Sequence, residues 1–107
     1  MIIYKSEKEI REISKSNRIV AQVLAEVSKM VQPGITTLEL DRYAEKRARD
    51  MGAVPAFKGY RGYPSSLCTS VNEEIVHGIP SKRALKNGDI LSLDFGVVLN
   101  GFYGDAA

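Results

Sequence analysis

Two aspartates, Asp94 and Asp105, are the residues whose type and spacing most suggest chemistry. Between them lies Asn100-Gly101, the strongest two-residue hairpin signal, because a type I′ turn needs positive φ at both central positions. With those two residues at the turn, Leu99 faces Phe102, and the numbers of opposed residues sum to a constant. Asp94 then opposes Ala107, and Asp105 opposes Gly96. Side chains alternate along a strand, so both carboxylates emerge from one face as diagonal neighbours, with Cα atoms roughly 7–8 Å apart.

Aspartate is disfavoured within strands. Two on one face also repel each other and resist desolvation unless a cation or proton offsets them. Carboxylates that bridge two divalent ions ~3.5–4 Å apart would supply the offset. Gly96 and Gly104 would leave room beside them for an ion or ligand to approach the backbone. The plainer alternative is a solvated sheet face with solubilising aspartates, since antiparallel sheets often keep one wet side.

His77 is the single histidine, followed by Gly78-Ile79-Pro80. It reads either as a structural residue or as an acid/base or donor group facing a substrate. Tyr60, Tyr63 and Cys68 are equally open: a core edge and a small buried hydrophobe, or the apolar wall of a pocket.

The elements that would hold these residues can be read from periodicity. Ser6 and Glu9 have capping-box spacing, and Ile10, Ile13, Val20, Leu24, Val27 and Val31 form an amphipathic stripe about seven turns long, ended by Pro33-Gly34. Thr36 with Glu39 repeats the box. Leu40, Tyr43, Ala44, Ala48 and Met51 make a second stripe, with Gly52 as the residue after the cap. Ala53–Phe57 reads as a short strand and residues 59–64 as a glycine- and proline-rich loop. Leu67–Val71 and Ile75–His77 read as short strands, and Ile90–Leu99 with Phe102–Ala107 as the hairpin. Along the hairpin, Leu91, Leu93, Phe95, Val97, Leu99 and Phe102 would face the helices. Two helices followed by antiparallel strands make an α+β fold, and 107 residues suit a single domain, 1–107.

Composition narrows the function classes. Fifteen basic against thirteen acidic residues, without a long run of either, argues against nucleic-acid binding; the densest basic group, Lys82, Arg83 and Lys86, reads as a solvated loop. One cysteine excludes an internal disulfide. No apolar stretch approaches the ~20 residues of a membrane span, and the charged N-terminus lacks a signal peptide's apolar core. The expectation is a cytoplasmic globular protein.

Three stretches together resemble a known family. Residues Asn72 to Pro80, read Asn-Glu-Glu-Ile-Val-His-Gly-Ile-Pro, resemble the histidine signature of type I, bacterial-type methionine aminopeptidases. Gly88-Asp89-Ile90 through Asp94, then Gly101 through Asp105, resemble that family's first two metal ligands, eleven residues apart. Lys58-Gly59-Tyr60 through Gly62-Tyr63-Pro64, with Cys68 beyond, resemble its substrate-side-chain pocket.

The resemblance implies half of a pita-bread fold, two helices packed on an antiparallel sheet. It implies a metal-dependent exopeptidase that removes the initiator methionine from nascent polypeptides. Asp94 would chelate one of two divalent ions (cobalt, manganese, iron or zinc) and Asp105 would bridge both. His77 would contact the scissile peptide, and Phe57, Tyr60, Tyr63 and Cys68 would line the methionine pocket. A metal-bound hydroxide would attack the carbonyl. N-terminal methionyl peptides are the implied partners, with the ribosome as a candidate contact; no specific nucleic acid and no membrane is implied.

Family members are more than twice as long and take one histidine and two glutamates as ligands from their second half. The 107 residues therefore resemble the N-terminal half and are expected to be inactive or nearly so alone. The alternative is an inactive pita-bread half-domain that serves as a binding or dimerisation module, its exposed face covered by a second copy. A creatine- or arginine-type hydrolase of the same fold is disfavoured by the aminopeptidase-like character of residues 72–80.

Overall fold

A computed structural model describes residues 6–58, 65–71, 79–82, 84–89 and 91–106. Its elements are α1 (Glu7–Met30), α2 (Thr37–Asp50), β1 (Val54–Pro55), β2 (Leu67–Val71), β3 (Leu91–Leu99) and β4 (Phe102–Ala106). The architecture is α+β, two helices against one antiparallel sheet. β3 is the central strand: β2 and β1 pair with it on one edge, and β4 pairs on the other.

The expected capping box forms in full at α1 and only in its forward half at α2. Ser6 Oγ accepts the Glu9 amide, and the Glu9 carboxylate accepts the Ser6 amide, a reciprocal capping box. Thr36 Oγ1 accepts the Glu39 amide at 3.1 Å. Gly52, just past the Met51 cap, takes φ of 84°, the left-handed geometry that glycine adopts most cheaply.

The core lies between the helices and one sheet face: Val20, Val23 and Val27 of α1, Leu40, Ala44 and Ala48 of α2, and Phe95, Val97 and Leu67 of the sheet are all fully buried. The buried stripe of α1 differs at its ends from the expected one. Ile10 and Val31 are exposed, because the sheet covers only the middle turns; Ser16 and Val23 occupy the covered line instead. Across the helices, Arg47 donates two hydrogen bonds to Glu26 (2.7 and 3.1 Å), and Tyr43 and Gln22 donate to the same carboxylate. The Arg47 guanidinium, foremost among these donors, lowers the Glu26 pKa to about 2.

The hairpin forms in the expected register. Leu99 pairs with Phe102 and Gly96 with Asp105, and Asn100 and Gly101 both have positive φ, 53° and 84°. The strand expected over Ala53–Phe57 contracts to Val54–Pro55. The chain then turns, and the Ala56 amide donates to the Gly96 carbonyl at 2.9 Å. The strand expected at Ile75–His77 lies outside the described residues.

Gly104 corrects one expectation. Its α-carbon faces α1, not the ligand side: a Cβ there would lie 2.6 Å from the Ser16 backbone carbon and 2.7 Å from the Asn17 nitrogen. The glycine admits a helix backbone, and Ser16 Oγ closes the contact by donating to the Phe102 carbonyl at 2.9 Å. No helix among the described residues is long and apolar enough to cross a membrane.

Candidate functional site

The sheet face turned away from the helices carries the acidic pair. Asp105 stands opposite Gly96, and Asp94 lies two residues before Gly96 on the same strand, so the two carboxylates are diagonal neighbours on one face. Asp94 is half-buried and Asp105 exposed. On the other edge of β3, Cys68 is the register partner of Asp94. The acidic pair thus has β2 on one side and the hairpin return on the other.

Gly96 matters for what it lacks. A Cβ at this position would meet Phe57 Cε1 at 3.4 Å, Ala56 Cβ at 3.5 Å and the Gly104 carbonyl at 3.3 Å. Phe57 therefore lies over the bare backbone between the aspartates. Phe57, Ala56, Gly96, Tyr103, Gly104 and Asp105 line a cleft of about 390 Å³. An aromatic wall meeting a carboxylate suits a ligand with an apolar side chain and a cationic or metal-bound end.

Of the seven residues singled out from the sequence, Phe57 and Asp105 line one cleft on this face, Asp94 shares the face as the diagonal neighbour of Asp105, and Cys68 joins by its backbone register. Tyr60, Tyr63 and His77 lie outside the described residues. Among the described residues no group of three histidine, cysteine, aspartate or glutamate side chains converges to hold a metal ion. Two hard oxygen donors on one face fit part of a divalent-cation site and leave further ligands to come from elsewhere.

Residues that the sequence reading missed stand behind this face. Asp41 of α2, 7% exposed, accepts the amides of Ser66 and Leu67 at 2.8 Å each. Burial pushes its carboxyl above the ordinary value, and the two amides oppose that shift. One turn on, Glu45 accepts Lys58 Nζ and Ser66 Oγ, both at 2.7 Å, and Arg49 Nε at 3.1 Å. The Lys58 ammonium leads in lowering the Glu45 pKa to about 2. A second cleft, also about 390 Å³, runs along α2, but its carboxylates are already committed to these partners. In sequence these are polar positions on an amphipathic helix, which ordinarily face water.

Comparison with known proteins adds the chemistry. The profile of metallopeptidase family M24 matches residues 11–107. Methionine aminopeptidase 1 of Bacillus subtilis is 51% identical over all 107 residues, which cover 43% of that relative. The solved methionine aminopeptidases of Thermotoga maritima and Rickettsia prowazekii superpose with TM-scores of 0.94, at 43% and 37% identity. Each aligns with 98% of this chain, which covers 43% and 42% of those structures respectively. The chain thus spans well under half the length of the relatives it matches.

Proposed function

The chain belongs to metallopeptidase family M24, and from that premise we propose that it supplies the N-terminal part of a methionine aminopeptidase acting on the N-terminal methionine of nascent polypeptides. The observation that carries this reading is the joint placement of Asp94, Asp105 and Phe57 on one sheet face: Asp105 and the aromatic wall line one cleft, and Asp94 stands diagonally beside Asp105. Asp94 and Asp105 would hold divalent ions, two by the resemblance, drawn from cobalt, manganese, iron or zinc. When bound, such ions supply a nucleophile at neutral pH and Lewis acidity toward the scissile carbonyl.

Asp94 and Asp105 would hold the ions toward which the substrate's free α-amine is oriented. Phe57, with Tyr60, Tyr63 and Cys68, receives the methionine side chain and excludes water from it. His77 hydrogen-bonds the peptide being cleaved. The 107 residues form one domain, the first half of the catalytic unit, working in the cytoplasm. The ribosome, where such substrates emerge, is a candidate contact; membranes and specific nucleic-acid sites are not.

The test is hydrolysis of Met-Ala-Ser by the protein expressed from its complete reading frame, with cobalt or manganese added. Release of free methionine is expected, and the 107 residues alone should release little or none. Full-rate turnover by the 107-residue chain would show that its own residues complete the site.

A second reading is favoured by the surface. Tyr103 of β4 is 69% exposed, and among the described residues β4 pairs only with β3. A chain of this length could cover that edge with a second copy and act as a dimerising module. Sedimentation separates the two: a monomer at all concentrations removes the dimer.

A further inference from the structure

Thr37, Asp41 and Glu45 follow one another at four-residue steps along α2, which puts them on one flank of the helix. A polar stripe of this kind ordinarily faces water, yet Thr37 is 3% and Asp41 7% exposed. Each residue takes hold of a different returning segment. Thr37 Oγ1 accepts the Ser81 amide at 2.8 Å and donates to the Ser81 carbonyl at 3.2 Å, and the Leu38 amide donates to that same carbonyl at 2.9 Å. Asp41 accepts two consecutive amides, those of Ser66 just before β2 and of Leu67 at its first residue. Glu45 draws Lys58 and Ser66 together on one oxygen, although 59–65 separate them in sequence.

We infer that Thr37, Asp41 and Glu45 form a positioning rail that fixes the segments at Lys58, Ser66 and Ser81 relative to the acidic pair, and so sets the fit of the substrate's N-terminal side chain. The inference rests on the aminopeptidase reading above and extends it to residues outside the cleft. Lys58 follows Phe57, whose ring lies over Gly96. Ser66 precedes by two residues Cys68, the register partner of Asp94. A slip of one residue in β2 would exchange the faces of Cys68 and Thr69, and the paired amide contacts of Asp41 oppose that slip. A buried carboxylate is costly to desolvate and a poor source of net stability, so a role in specifying geometry fits it better.

The experiment uses the protein from its complete reading frame, with Asp41→Asn, Asp41→Ala, Glu45→Gln and Thr37→Val. Asparagine keeps an oxygen for both amides; alanine removes it. Affinity for free L-methionine is measured by calorimetry, folding by thermal melts, and KM and kcat on Met-Ala-Ser. Asp41→Ala and Thr37→Val are expected to weaken methionine binding and raise KM by about tenfold, with kcat within about twofold, while Asp41→Asn stays near the parent. Should Asp41→Ala not fold, Glu45→Gln carries the test, with an expected loss of about threefold in affinity.

Parental methionine affinity in folded Asp41→Ala or in Glu45→Gln overturns the rail, as does a parent that binds no methionine. So does a loss confined to melting temperature. A parent that binds methionine without cleaving Met-Ala-Ser would sink the peptidase reading and leave the rail standing.

Discussion

Asp105 stands directly across from Gly96, so the carboxylate on β4 borders a gap in the side-chain row of β3 that Phe57 overhangs. A cation held there would contact carboxylate oxygens beside an apolar wall, and its loss would leave two like charges on one face.

Asp105→Asn should therefore lower divalent-metal affinity and peptidase activity of the complete protein by at least about 100-fold, more than is usual for groups behind the ligands. Titration calorimetry with manganese or cobalt, beside a Met-Ala-Ser assay, checks this. Parental metal affinity in the variant would remove Asp105 from the site.

Gly96 and Gly104, on the two hairpin strands, should respond differently to alanine. At Gly104 the new methyl would stand 2.6 Å from α1 backbone, which cannot yield as a side chain tip can. A cost of about 2 kcal/mol or more is expected. At Gly96 the nearest atoms lie at 3.3–3.5 Å, one of them on the Phe57 ring. Gly96→Ala should cost less stability and narrow the cleft instead. Urea unfolding of both variants ranks them.

Acid should unfold the protein in a window set by Glu26 and Glu45. Both titrate at about 2 in the fold, held down chiefly by Arg47 and Lys58, against about 4.3 in an unfolded chain. Their stabilising contribution is complete above roughly pH 5 and is lost as pH falls toward 2. Asp41 acts with the opposite sign, because burial raises its pKa and lower pH relieves that penalty. Urea midpoints measured from pH 7 to 2.5 should fall in that window, and less steeply in Glu45→Gln.

Thr69 offers a gain. Its hydroxyl is buried, and Oγ1 has no hydrogen-bond partner among the described residues. Thr69→Val keeps the shape and removes the stranded oxygen, so stability should rise by about 1 kcal/mol. A fall in the urea midpoint would mean that the hydroxyl is satisfied in solution.

What could be read in advance follows from how local each signal is. The hairpin register was legible to the residue, because Asn100-Gly101 admits few turns and the register places Asp94 and Asp105 by parity. Helix starts were legible for the same reason, through Ser6 and Thr36. The outer turns of α1 misled, since an apolar Ile10 or Val31 does not reveal whether a sheet extends far enough to cover it. Gly104 misled similarly: a missing side chain signals a close approach without saying whether a ligand or a helix makes it. Asp41 and Glu45 were illegible, because apart from Arg49, one turn on from Glu45, their partners are backbone amides and side chains 13 to 26 residues away. Nothing in a helix's own pattern separates a carboxylate facing water from one facing a returning loop.

The bond from Ser16 to the Phe102 carbonyl joins residues 86 positions apart. Synthesis runs from the N-terminus at about 5–20 residues per second, so α1 waits roughly 4–17 s for the strand that covers it. During that interval Val20, Val23 and Val27 lack the hairpin part of their packing. The surface is then open to whatever apolar partner is nearby, and the arrival of β4 decides when α1 stops being sticky.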